Sequence, residues 1–353
     1  MITMPASSLN TTADAKYDIL KFLMSIMVVA IHAELFPLVL YPWLRMAVPL
    51  FFMITAYFLF TKLEKAHPDK QKQVLSGFVA RNARLYGWWF LLLLPMTLYI
   101  RRTVYFSKGI GAGIAAFLKS LFFGSTFVAS WYIPASVIAV LFIFFLTKHI
   151  RKESVTWILC LVVFCIVTLE SSYAPAMDGT AFSKAIDTYS MIFESPVCSF
   201  PAAFLWIMAG RWFALNQVPP RISRLALPVF LLSCLGLYAE WCMVLKLFGS
   251  YNNDSYFMLL PVCFSFFCFF RSQNSMHLSF SPALRHASTV IYVSHGSLVY
   301  AISFCLKKLV HSVSPVLVFS LTLLCCLALN SFIEWSCRHW NGHPIVRHLK
   351  SLY

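Results

Sequence analysis

The sequence predicts an all-α, polytopic integral membrane protein of about ten transmembrane helices, with both termini in the cytoplasm. Three observations carry that reading. Of 353 residues, 60% are hydrophobic and only 12% charged, at a mean hydropathy of +0.75, whereas a soluble domain carries about 25% charged residues. The apolar residues gather into runs of about 17–25, the length an α-helix needs to cross hydrocarbon. Lys and Arg are concentrated between alternate runs, as positive-inside orientation requires.

The runs fall near 17–40, 43–61, 85–106, 129–147, 155–173, 196–214, 225–248, 255–270, 288–309 and 315–336. The stretch from Ile110 to Phe123 is apolar but short and carries Lys119, so it reads as an interfacial or re-entrant helix. Residues 1–16 form a cytoplasmic leader without a basic n-region, and the first run stays in place as a signal anchor. Residues 17–336 form the transmembrane domain, and 337–353 a basic cytoplasmic tail. An even number of runs puts both termini on one side. The basic loop from Lys62 to Arg84 marks that side as cytoplasmic, while Arg101 and Arg102 run against the bias. The expected location is the cytoplasmic membrane of a bacterium.

The net charge of +15 follows from these topogenic residues. Scattered between apolar runs, they form no continuous basic patch, so nucleic acid is not an expected partner. The 11 Cys lie almost all within apolar runs and lack CxxC spacing. They read as small hydrophobes in packed helices, with no metal or bound cofactor expected.

The first run contains Asp18, Lys21 and His32. Such groups cost about 2.5–3.5 kcal/mol each at the bilayer centre and normally face a protein interior or a watery cavity. Lys21 and His32 share a face three turns apart, roughly 16 Å along the axis. A neutral imidazole is a natural base for an alcohol; the plain alternative is a histidine bonded between helices. Asp18 lies three residues before Lys21, close enough to neutralise it locally, and Lys21 otherwise snorkels to the interface. Arg81 and Arg84, one turn apart where the basic loop enters the third run, suit either a phosphate group or topogenic anchoring. Trp131 and Tyr132 open the fourth run as an aromatic belt or a stacking surface for a sugar. His295 and Glu240 read first as interhelical hydrogen-bond partners and second as chemical groups.

In this order the residues resemble the membrane-bound acyltransferase 3 family, O-acyltransferases of cell-surface glycans, in its minimal form without an appended soluble domain. The match runs over nearly the whole chain. Asp18, Lys21 and His32 fit the family's start to span one. Val48-Pro49-Leu50-Phe51-Phe52-Met53-Ile54-Thr55-Ala56-Tyr57 fits its second span, with Thr55-Ala56 where Ser-Gly is usual. Arg81 and Arg84 fit an Arg-x-x-Arg before span three, and Trp131-Tyr132-Ile133 the start of span four. Ser288, Ile291, Tyr292 and His295 fit a late Ser-x-x-Ile-Tyr-Leu-x-His element. The resemblance implies an O-acetyltransferase using acyl-CoA, most often acetyl-CoA, as co-substrate from the cytoplasm. The acceptor would be a hydroxyl of a lipid-linked or surface glycan within membrane lipid. His32 would be catalytic. Asp18, Lys21, Arg81 and Arg84 would hold the donor, and Trp131, Tyr132 and Tyr57 would lie toward the acceptor. Tyr292, His295 and Glu240 are secondary candidates. Direct attack and an acyl-histidine intermediate both fit. The competing expectation is a transporter or flippase of a small polar solute or glycan, which predicts broken helices in related halves.

Overall fold

The computed structural model describes residues 14–35, 40–107, 109–249, 253–309, 312–340 and 343–353. The leader up to residue 13 and positions 36–39 of the first predicted run lie outside them. Every regular element described is helical. Two short helices aside, α1 (Ala15–His32), α3 (Ala47–Lys65), α4 (Pro68–Phe106), α6 (Tyr132–His149) and α7 (Glu153–Ser171) build the first half. A second half follows with α10 (Pro201–Leu215), α11 (Pro220–Phe248), α12 (Leu259–Ser272), α13 (Ser281–Leu309) and α14 (Pro315–His339). The short pieces are α2 (Tyr41–Leu44), α5 (Ile110–Phe123), α8 (Ala174–Met177), α9 (Ala181–Ile192) and α15 (Pro344–Leu349).

Among the described residues, 7 helices are long and apolar enough to cross a membrane; α5, α10 and α12 are shorter apolar helices. Their outward faces settle the solvent. On α11, Leu231, Leu232 and Leu235 are 56, 69 and 65% exposed, a continuous apolar surface that water would not tolerate but lipid does. On α5, Ile110, Ile114, Leu118 and Phe122 project outward at intervals of four, one apolar stripe as on an interfacial helix. The chain is a multi-pass membrane protein.

Three boundaries differ from the sequence reading. The basic stretch from Lys62 to Arg84 is not a loop: α3 continues to Lys65, and α4 begins at Pro68 and runs unbroken through Arg81 and Arg84. Hydropathy registers apolar length only, while Gln, Lys and Arg are good helix formers that extend a span into the polar zone. The segment 174–195, between two of the predicted runs, contains α8 and α9, while Ile110–Phe123 is the short helix α5, as expected. The final segment, expected as a free tail, is folded: Val346 and Leu352 are buried in the main core.

Helix α10 packs along α3, and α1 along α13. The α3–α10 crossing depends on Gly210, where an added Cβ would lie 2.3 Å from the Met53 carbonyl oxygen and 2.7 Å from the Ala56 Cβ. The close approach is therefore present although the second span carries Thr55-Ala56. The smallest residue is supplied by the partner helix, a small-residue contact of the kind that packs helices in lipid.

Candidate functional site

The start of α1 is fastened to α13 by charge. Asp18 accepts from Arg285 Nε at 3.0 Å and Nη2 at 2.7 Å, and from Ser281 Oγ at 2.5 Å. The expected Asp18–Lys21 pairing is thus overturned. A planar guanidinium offers a carboxylate two aligned donors, which an ammonium one turn away does not. Nearby, Lys16 Nζ donates to the Gln273 carbonyl oxygen at 2.7 Å, which satisfies an orphan acceptor beyond the end of α12.

With Asp18 committed elsewhere, Lys21 makes no ion pair among the described residues; its ammonium stands 5.4 Å over the Phe58 ring. It projects between two adjoining cavities. One, of about 470 Å³, is walled by Asp18, Lys21, Thr55, Lys62, Arg81 and Arg285, among others. The second, of about 400 Å³, is walled by Lys21, Thr55, Arg81, Arg84, Tyr132 and Tyr292, with Lys350 at its edge. Lys21, Thr55, Phe78 and Arg81 border both. Among the described residues, no acidic side chain lines the second. Arg81, Arg84 and Lys350 are exposed and with Lys21 present one sign of charge to this cavity, which attracts a polyanion. Helix α4 makes this possible by carrying Arg81 and Arg84 on one face, a turn apart.

The cavity ends at aromatic rings. Phe51, Tyr132 and Tyr292 meet with centroids 5.2–6.1 Å apart, and Thr55 Oγ1 bonds the Tyr132 hydroxyl at 2.9 Å. A turn at Ala129, whose φ of 63° is unusual for alanine, presents its carbonyl oxygen to the Tyr292 hydroxyl at 3.2 Å. Gly296 makes room for that turn: a Cβ there would lie 2.7 Å from Val128 Cγ1. Past this layer sits His295, fully buried, with its ring 5.9 Å from Tyr292 and 5.0 Å from His32.

His295 Nδ1 donates to the carbonyl oxygens of Tyr292 at 2.6 Å and Ile291 at 3.1 Å. Carbonyl oxygens only accept, so Nδ1 carries the proton and Nε2 keeps a free lone pair. Nε2 has no partner among the described residues. His32, the last residue of α1, is exposed beside it. Lys21 and His32 share a helix face as the spacing required, but they do not open onto one cavity. His32 borders neither cavity, and the Phe51–Tyr132–Tyr292 layer lies between.

The remaining candidates separate. Trp131 and Tyr132 are adjacent in sequence yet face different spaces: Tyr132 closes the cationic cavity, while Trp131 lines a small void of about 60 Å³ with Ile31, Arg45 and Asp254. Tyr57 lies near neither. It stacks on Tyr17 at 5.6 Å and faces Arg271, at the beginning of α1 rather than its end. Two residues after Thr55 on a helix, it occupies a different face. Glu240 is structural, as its first reading held: it accepts from the Phe257 and Met258 amides at 2.8 and 2.7 Å and from the Tyr173 hydroxyl at 2.8 Å. That satisfies the free donors where α12 begins. Sequence reasoning missed Arg285, Thr55 and Lys350. Arg285 stands two turns before Tyr292 on one helix, and that spacing was the available signal. The cysteines are all free.

The chain is similar to known proteins over most of its length. The chain is 26% identical over 341 residues to an amino-acid racemase of Enterococcus faecalis, covering 90% of this chain and 44% of that protein. It is 25% identical over 272 residues to a serine/alanine racemase of Enterococcus gallinarum, covering 70% of this chain and 36% of that protein. The chain therefore spans less than half the length of these curated relatives. No solved structure matches it. The acyltransferase domain of the acyltransferase 3 type matches residues 14–334, a range that holds Lys21, Arg81, Arg84, the aromatic layer and both histidines. The chain belongs to the acyltransferase 3 family of membrane acyltransferases.

Proposed function

We propose that the protein is a membrane-bound O-acyltransferase, and specifically an O-acetyltransferase, that moves an acyl group from acyl-CoA to a hydroxyl of a lipid-linked or surface glycan. The observation that carries this is the cavity that Lys21, Arg81, Arg84 and Lys350 line with no acidic side chain among the described residues. The nucleotide end of coenzyme A is a polyphosphate, the ligand such a cluster neutralises. Arg81 and Arg84 bind phosphate oxygens, and Lys21 adds a point charge deeper in. Asp18 does not touch the donor; it positions Arg285 at the cavity wall. On this reading the site faces the cytoplasm, where acyl-CoA is made.

The reaction follows from the histidine pair. His32 takes the proton of the acceptor hydroxyl as its oxygen attacks the thioester carbonyl. The C–O bond forms and the C–S bond breaks. The thiolate departs as free coenzyme A after taking up the proton that His32 holds. His295, with its proton fixed on Nδ1, offers Nε2 as acceptor to the other nitrogen of His32 and stabilises the imidazolium. The thioester passes the Phe51–Tyr132–Tyr292 layer when those rings rotate aside, and Trp131 borders the acceptor side.

The relatives named as racemases do not extend that activity here, since the match covers a minority of their length. A carrier would be built on interrupted helices; Pro95 and Pro228 lie inside α4 and α11 without breaking either, which favours the enzyme. The test is incubation of purified protein in nanodiscs with radiolabelled acetyl-CoA and envelope glycans. Label should enter glycan with the wild type. It should fall by at least about 100-fold with His32→Ala and fall strongly at low donor concentration with Arg84→Ala. Solute movement in proteoliposomes with no acyl donor, and no label transfer, would overturn the proposal.

A further inference from the structure

The segment 343–353 lies beyond the family match at 14–334, yet it folds back onto the cationic cavity. A helical turn continues past α15: Lys350 N donates to the Val346 carbonyl oxygen at 2.9 Å and Leu352 N to that of Leu349 at 3.0 Å. Three contacts fix this turn against the bundle. The indole of the fully buried Trp89 donates to the Leu352 carbonyl oxygen at 2.9 Å. The Trp88 and His348 rings lie 4.9 Å apart, and Tyr353 stacks on His286 of α13 at 3.9 Å. Trp88 and Trp89 stand just over one turn beyond Arg84 on α4. The segment is thus held against the stretch of α4 that carries the arginine pair, and Lys350, Ser351 and Tyr353 join Arg81 and Arg84 in the cavity wall.

From this placement we infer that the C-terminal turn is part of the donor site, and that Lys350 is a binding residue for the phosphates of the nucleotide donor. The inference rests on the acyl-CoA reading above and adds a residue to it. Lys350 is exposed, so its ammonium is free to close over a ligand held by the two guanidinium groups, where it supplies a third positive charge from another direction. Trp89 acts as a positioning residue: its bond to the Leu352 carbonyl sets where Lys350 stands.

The experiment is equilibrium binding of coenzyme A to the full-length protein in detergent by titration calorimetry, for wild type, Lys350→Gln, Lys350→Glu and Trp89→Phe, with thermal unfolding of each. The expected result is roughly 3- to 10-fold weaker binding with Lys350→Gln and weaker still with Lys350→Glu, at unchanged unfolding temperatures. Trp89→Phe, which loses the indole donor but keeps the aromatic bulk, should weaken binding less. Wild-type affinity in both Lys350 variants would overturn the role of the C-terminal turn and leave the donor reading standing. Absence of coenzyme A binding by the wild type would overturn both.

Discussion

His32 and His295 lie 5.0 Å apart on two different helices, and only one of them has its tautomer fixed by the backbone. Nδ1 of His295 is held by carbonyl oxygens of its own helix, so its bare Nε2 is left to act on a neighbour. The α1–α13 seam therefore brings together an accessible imidazole and a buried one.

Removing the buried ring should slow turnover without weakening donor binding. His295→Ala is expected to lower kcat by about 10- to 100-fold while the KM for acyl-CoA stays within about twofold, since the loss falls on orientation of the base. His32→Ala should cost more. Steady-state kinetics at varied donor concentration separates the two. A raised KM with unchanged kcat in His295→Ala would count against the positioning role.

The Asp18–Arg285 pair should hold the α1–α13 seam. Asp18→Asn leaves the guanidinium without its charge partner and is expected to destabilise by about 1–3 kcal/mol; the larger losses of fully buried pairs do not apply, because the Arg285 side chain is 42% exposed. Adding Arg285→Gln to Asp18→Asn should cost less than the two single losses summed. Thermal unfolding in detergent reads both, and strict additivity would mean the pair contributes nothing.

Gly210 is expected to tolerate no side chain. Gly210→Val places a branched Cβ against the Met53 carbonyl and Ala56, and overpacking of this kind costs about 1–3 kcal/mol or more. Gly87→Ala on α4 is the control: nothing lies within 4 Å of its Cβ, and replacing glycine within a helix stabilises by up to about 1 kcal/mol. Yield and monodispersity on gel filtration should fall for the first and hold for the second.

Much of this was legible before any coordinates, and the remainder was hidden for definite reasons. Apolar run length located α6, α7, α11 and α14 to within a few residues, because lipid imposes one length on every span. It failed at α4, where residues 68–84 continue the helix in charged sequence. The histidine and arginine candidates were readable as ionisable groups in costly places. Their partners were not: Arg285 is 267 positions from Asp18, and a local i,i+3 rule selected Lys21 instead. The C-terminal turn was missed for a similar reason, since a short basic stretch reads as solvated until Trp89 is known to hold it.

On the proposed reading, the edge-packed rings of Phe51, Tyr132 and Tyr292 have a consequence for the cell as well as for catalysis. A membrane holding 100 mV does about 2.3 kcal/mol of work on each elementary charge that crosses it, so a standing water column through this bundle would drain the gradient continuously. Three rings that separate the cationic cavity from the histidines until a substrate parts them would, on that reading, let acyl transfer proceed without an ion leak.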